Sequence, residues 1–236
     1  MQRMIRHHSL SAVAVLLMAA PSVACSQQEA TRKVEGGGVH VAGWMGAADP
    51  ARGGAANSID DAKFVAEGKG FHVTTGPAAT FWNPANKASG DYTVKATFTE
   101  PKYMNLNDHP HPYGIMIGGN DLGTADQSYL YCAAYGNGNF IVRGFGPKSF
   151  QLNGGRGEAN AAVHKAAAKD QPVTQEIAVS VKGDQVQCAI NGTVVATYPK
   201  SQVVGPGKLK STDGVYGVRF SHNTEGIVTG LTVTKP

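Results

Sequence analysis

Asp91-Tyr92-Thr93-Val94-Lys95-Ala96-Thr97-Phe98 puts Tyr92, Val94, Ala96 and Phe98 on one side of an extended chain and Asp91, Thr93, Lys95 and Thr97 on the other. Apolar residues at a period of two read as a β-strand with one buried and one wet face. The same alternation returns at 176–182, where Ile177, Val179 and Val181 share a face, and at 185–190, where Val186, Cys188 and Ile190 do. Gly183-Asp184 makes a short turn between these two strands. Asn191-Gly192 follows before Thr193-Val194-Val195, and both residues accept the positive φ that a tight hairpin demands.

Working outward, 113–117, 129–134 and 140–145 read as strands parted by Gly118-Gly119-Asn120-Asp121 and Gly136-Asn137-Gly138-Asn139. Residues 63–73 and 79–82 precede them, and 215–221 with 227–234 close the chain. The alanine-rich stretch 154–170 breaks the pattern and reads as a short helix or a loop. About ten strands with closely spaced turns and no helical period predict an all-β, two-sheet antiparallel sandwich of jelly-roll type. Thirty glycines and twelve prolines agree with short strands and frequent turns.

At the other end, Arg3 and Arg6 precede an apolar run at 10–20 and the small residues Ser22-Val23-Ala24-Cys25. This is the pattern of a secretory signal peptide, and the run falls short of the roughly 20 residues that cross a bilayer. Cleavage after Ala24 by the small-x-small rule and acylation of Cys25 at a lipobox are the competing readings. The polar stretch 26–33 favours the second as a tether. The expected organisation is therefore a signal peptide (1–24), a lipoprotein-type tether (25–33), an irregular leader packing on the domain (34–62) and a sandwich domain (63–236). Export would place the chain in the periplasm, at the outer membrane or cell surface, or outside the cell, with a lipid anchor as its one link to membrane.

With Cys25 assigned to acylation, Cys132 and Cys188 remain as a pair, either bonded in an oxidising compartment or buried as free thiols. The net charge is +4, and Arg3 and Arg6 of the leader supply two of those positive charges. So small a surplus gives no footprint for nucleic acid.

Ser89-Gly90-Asp91-Tyr92-Thr93-Val94, Tyr113-Gly114-Ile115-Met116-Ile117, Ser128-Tyr129-Leu130-Tyr131, Val181-Lys182-Gly183-Asp184-Gln185-Val186 and Gly214-Val215-Tyr216-Gly217-Val218 together resemble the concanavalin A-like lectin/glucanase sandwiches. Within that group the series is most similar to laminin G-like modules and to the bacterial domain named for 3-keto-disaccharide hydrolases. The resemblance covers about residues 71–235 and implies the sandwich fold and a carbohydrate or cell-envelope glycan as partner. Sandwiches of this group often hold calcium at a loop end, which offers Asp108 with carbonyl partners as an alternative to a chain without a cofactor. No other cofactor is expected. No Glu-x-Asp-x-x-Glu strand of the retaining glucanases occurs.

Sugar recognition requires an aromatic face for the pyranose C–H surface and planar polar groups for its hydroxyls. The candidates are Trp44, Trp82-Asn83, Tyr131, Tyr135, Arg143 and His222-Asn223, joined by Asn107-Asp108-His109-Pro110-His111-Pro112. In that last segment the prolines enforce an extended chain, so His109 and His111 point the same way. A metal would need a third ligand from elsewhere, and the preferred reading is a rigid surface loop with no metal. Glycoside hydrolysis needs two convergent carboxylates, and Asp91, Glu100, Glu158, Glu176, Asp184 and Asp213 read as turn or strand-end residues. The chain is thus expected to be an exported, noncatalytic carbohydrate-binding or interaction module. A glycoside-directed hydrolase and a structural lipoprotein domain stand as alternatives.

Overall fold

A computed structural model of the chain describes residues 30–50 and 57–236. The segment read as a signal peptide, Cys25 and most of the expected tether lie outside the described residues. The strands in chain order are β1 (Gly38–Val39), β2 (Met45–Ala48), β3 (Ala62–Glu67), β4 (Gly70–Thr75), β5 (Ala79–Ala88) and β6 (Tyr92–Glu100). Next come β7 (Tyr113–Asn120), β8 (Ser128–Ala134), β9 (Asn139–Phe145), β10 (Ser149–Gln151) and β11 (Glu158–Ala159). The last are β12 (Val173–Lys182), β13 (Gln185–Ile190), β14 (Thr193–Pro199), β15 (Gly214–Phe220) and β16 (Glu225–Thr234). A single α-helical turn, α1 (Lys200–Val203), follows β14.

These strands form two facing sheets, as the alternation requires. The first runs β1-β3-β4-β16-β6-β12-β13-β14, and the second β10-β9-β8-β7-β15-β5-β2 with β11 beside β9. Apart from the short parallel pair β1–β3, the named pairs are antiparallel. The strand that opened the sequence reading lies inside the first sheet, with Val94 opposite Val179 and Ala96 opposite Ile177. Its alternate side chains behave as their chemistry dictates, since Tyr92, Val94, Ala96 and Phe98 are buried in the core. On the outer side Lys95 meets Glu176 at 3.6 Å, and Thr93 and Thr99 bond Ser180 and Thr174 at 2.8 and 2.9 Å.

Between the sheets, Phe64, Phe81, Phe98, Tyr113, Phe220, Ile115 and Ile177 are fully buried. Burying a side chain of this size contributes about 1.5–3 kcal/mol. Cys132 on β8 and Cys188 on β13 are joined by a disulfide that ties one sheet to the other, with Cα atoms 5.9 Å apart. Asn191 and Gly192 both take positive φ, 50° and 80°, in the tight turn from β13 to β14.

Two parts differ from what their sequences suggest. Residues 34–62 show no period, yet they add β1 to the first sheet and β2 to the far edge of the second. The second difference concerns the second sheet, where β8 is buried at every residue and β7 at all but its last. These two strands therefore hide both faces, whereas alternation argues for one. The stretch 154–170 takes the loop of its two expected forms, a series of turns with the two-residue β11.

Candidate functional site

The outer face of the second sheet is built by antiparallel register, which sets directly opposite residues on the same side. One row crosses the sheet from Gln151 through Arg143, Tyr131, Met116, Gly217 and Trp82 to Met45. The adjacent row runs Ile141, Ala133, Gly114, Arg219, Thr80 and Ala47. Trp82, Met116, Tyr129, Tyr131, Ala133 and Ile141 form an apolar cluster distinct from the main core, with Tyr135, Phe145 and Leu122 packed against it. Four sequence-predicted residues, Trp82, Tyr131, Tyr135 and Arg143, thus meet on one face.

Arg219 lies at the centre of that face. Its guanidinium donates to Asp49 Oδ1 at 2.8 Å, Thr80 Oγ1 at 2.9 Å and Tyr129 Oη at 2.8 Å, and its second nitrogen to Asp49 Oδ2. The same group stands 5.7, 5.0 and 4.9 Å from the ring centres of Tyr129, Tyr131 and Phe145. Burial opposes its charge, but the oxygens of Tyr129 and Asp49 more than offset this, so the pKa stands above that of a free arginine. Burial likewise raises the Tyr129 hydroxyl. Gly114, opposite Arg219 in the row, lets β7 lie close to β8, since a Cβ there would fall 2.0 Å from the Cys132 carbonyl oxygen. Sequence reasoning missed Arg219 and Asp49, because an arginine between the inward Val218 and Phe220 reads as solvent-facing.

Arg143 differs from Arg219 in being unsaturated. It is half-buried, and its Nε is enclosed with no hydrogen-bond partner among the described residues. Leaving such a donor unsatisfied costs about 1–3 kcal/mol. The strand positions of the two rows carry no Asp or Glu, and Asp49, just beyond β2, is engaged by Arg219.

A second constellation lies at one end of the sandwich. The turn from β15 to β16 carries His222 to His109 and His111, and one ligand atom from each of the three lies within 4.8 Å of the others. His109 Nδ1 sits 2.6 Å from Asp108 Oδ1, His111 Nδ1 2.5 Å from the His222 carbonyl oxygen, and the two Nε2 atoms 2.8 Å apart. Ring centres are 4.3 Å apart for His109 and His111 and 4.0 Å for His111 and His222. His111 is buried, and burial with the neighbouring His222 pushes its pKa down to about 4, so the ring is neutral. The hydrogen bond to His109 lowers the pKa of Asp108.

The third imidazole that the extended segment lacked is supplied by His222. Asp108 Oδ1 is engaged by His109, and the donors brought together beside it are nitrogens, which calcium does not favour.

Other candidates serve packing. Trp44 stacks with Phe64 and Phe71 at 4.9 and 4.6 Å, inside the leader's contact with the core. Asn83 Oδ1 accepts the Ala85 amide at 2.9 Å in a local turn. Asn223, fully buried, accepts from the Arg32 amide and donates to the Ala30 carbonyl, which fastens the N-terminal stretch to the turn. Two concavities of about 410 and 460 Å³ lie apart from these groups, one beside His164 and Lys165, the other beside Lys200 and Lys210.

The architecture is that of the galectin-like and concanavalin A-like sandwiches. A carbohydrate-binding module, CBM66 from Bacillus subtilis, is similar over 84% of this chain and 99% of its own, with 8% identity and a TM-score of 0.54. A protein of unknown function with a galectin-like fold, also from Bacillus subtilis, is similar over 81% of this chain and 89% of its own, with 11% identity and a TM-score of 0.53. At such identities the likeness establishes the fold alone. No family model matches the chain, and no curated protein matches it.

Proposed function

We propose that the chain is an exported carbohydrate-binding module of the cell envelope, with the outer face of the second sheet as its glycan-contacting surface. The observation that carries this reading is the β8–β9 edge, where half-buried Tyr135 and Phe145 form an aromatic strip beside Arg143, whose Nε is unsatisfied. An aromatic surface takes the C–H face of a pyranose, and a guanidinium takes a pair of its oxygens. Arg219 and Asp49 hold the strip rigid, which lowers the entropy a ligand must overcome. The solved carbohydrate-binding module of the same fold supports the ligand class. Hydrolysis in the manner of the 3-keto-disaccharide hydrolase-named domains finds no support, because these rows supply no pair of carboxylates.

Export rests on the leader, with Arg3, Arg6 and the apolar run before Cys25. The disulfide between Cys132 and Cys188 suits an oxidising compartment. Intact mass of the envelope-derived chain, with an acylated Cys25 as the expected form, tests both the export and the anchor.

The binding test is a glycan array probed with the wild-type chain and with Arg143→Ala and Tyr135→Ala, followed by product analysis of the bound sugars. Retention without turnover, lost in Arg143→Ala, is the expected result. Retention unchanged in both variants would refute this face as the site, and cleavage of the bound sugar would refute a noncatalytic module.

A further inference from the structure

We propose that His109, His111 and His222 form a binding site for a divalent transition metal of the zinc class, with water completing the coordination. The tautomers are the first reason. His111 Nδ1 faces a carbonyl oxygen at 2.5 Å, and His109 Nδ1 faces a carboxylate at 2.6 Å, and both oxygens accept only. Each Nδ1 therefore carries its proton, which makes Nε2 the ligand atom of each ring. The two Nε2 atoms face one another across 2.8 Å, a contact that either a proton shared between them or a metal ion satisfies. A zinc-class ion at about 2.0–2.1 Å from each nitrogen sets tetrahedral ligand atoms about 3.3 Å apart. The 2.8 Å pair need only open slightly, and the widest separation in the cluster, within 4.8 Å, must close.

The surroundings are those that imidazole ligands use. Metal-bound histidines donate their other ring N–H to a carboxylate or a backbone carbonyl, which fixes ring orientation and raises basicity. Asp108 and the His222 carbonyl hold those two positions here. The chain supports the backbone on both sides: Ser221 N–H bonds the Pro112 carbonyl at 2.9 Å, and Asn107 Nδ2 bonds the Asn223 carbonyl at 2.9 Å. Three nitrogens of borderline softness suit zinc, copper or nickel in preference to calcium or magnesium. His109 is 56% exposed while His111 is buried, so the site opens to solvent on the His109 side. An ion there joins the 101–112 segment to the β15–β16 turn and keeps an outward position for water or a ligand oxygen. This inference does not depend on the sugar-binding reading.

The test is calorimetric titration of Zn²⁺ into the metal-stripped full chain, purified without a polyhistidine tag, with Co²⁺ absorption as the geometric probe. One ion per chain is expected, with a tetrahedral Co²⁺ spectrum and a rise in unfolding temperature on loading. His109→Ala, the variant least able to disturb folding because its ring is exposed, should weaken binding more than the 10–100-fold expected for Asp108→Asn. Circular dichroism and the unloaded melting temperature confirm that each variant is folded. Absence of saturable Zn²⁺ binding overturns the proposal. So does binding that survives in both His109→Ala and His222→Ala, or ring-nitrogen NMR shifts that follow pH and ignore Zn²⁺, the signature of a shared proton only.

Discussion

Replacing Asp49 by Ala should destabilise the domain by about 3 kcal/mol, because it strands a guanidinium in the interior of an apolar face. Arg219 is 7% exposed and Asp49 25%, so the pair is buried mainly on the arginine side. Losing one partner of a buried pair costs about 3–5 kcal/mol, and the partial access of water to Asp49 sets the lower end of that range. Thr80 and Tyr129 would still accept from Arg219, but neither carries the charge that offsets its desolvation. Tyr129→Phe removes one neutral acceptor and should cost about 1–2 kcal/mol. The double variant Asp49→Leu with Arg219→Met removes both charges and keeps volume, and should recover most of the loss. Urea titrations followed by tryptophan fluorescence give these values directly, with an unchanged slope showing that the midpoint shift is a stability change. In a chain of this length the single Asp49→Ala change should lower the melting temperature by roughly 6–12 °C. A cost for Asp49→Ala below that of Tyr129→Phe, or a double variant weaker than Asp49→Ala, would refute the claim that Asp49 neutralises a buried cation.

Three further changes follow from other parts of the fold. Burial, with the Met104 amide pulling the other way and Glu225 adding to it, raises the Glu100 carboxyl to about 7. The folded chain then holds a proton that the unfolded chain releases near pH 4.5, so this group's contribution to stability declines as pH climbs from about 4.5 to 7 and is level above that. Glu100→Gln should flatten that slope in pH-dependent thermal melts and raise stability at pH 8 by about 1–3 kcal/mol, and an unchanged slope would exclude Glu100 as its source. Reducing the Cys132–Cys188 bond, which spans 56 residues, should lower stability by about 4 kcal/mol on the chain-entropy account. Thiol titration of the unfolded, unreduced chain checks the bond itself, and two reactive thiols at these positions would contradict it. Gly192→Ala should cost about 1–2 kcal/mol through its φ of 80°, with no clash to relieve, since no atom lies within 4 Å of the added Cβ. A neutral result in the same urea assay would show that the hairpin turn relaxes freely.

The first sheet was legible because its strands hide one side only. Val94 and Val179 point to the core while Lys95 and Glu176 face water, and a period of two records that directly. The second sheet obeys another rule. Tyr129, Leu130, Tyr131 and Cys132 are apolar or aromatic without alternation, which marks a strand buried on both faces. That signal was present in the sequence, but no local pattern says which residues of distant strands then meet. Trp82, Tyr131 and Arg143 were recognisable as chemistry. Their alignment in one row depends on pairings between β5, β15, β7, β8 and β9 that only the fold sets. His222 shows the same limit, since 111 residues separate it from His111 and nothing in either segment names the other.

Why the second sheet should be dry on both sides has a physical answer in two halves. Near β5 and β2 the outer face is closed by the protein itself, with Asp49 clamped on Arg219 and Trp82 only 4% exposed. Near β9 the face is open by comparison: Arg143, Tyr135 and Phe145 are each half-buried, and no carboxylate answers the Arg143 guanidinium among the described residues. An aromatic edge that ends in an uncompensated cation costs a solitary domain solubility and hydrogen bonding, and both costs vanish when an oxygen-rich ligand covers it. Recognition should therefore be centred on the β8–β9 edge. A series of single alanines at Tyr135, Phe145 and Arg143 should lose glycan retention while Met45→Ala and Thr80→Ala keep it, and equal losses at both ends would place the ligand elsewhere.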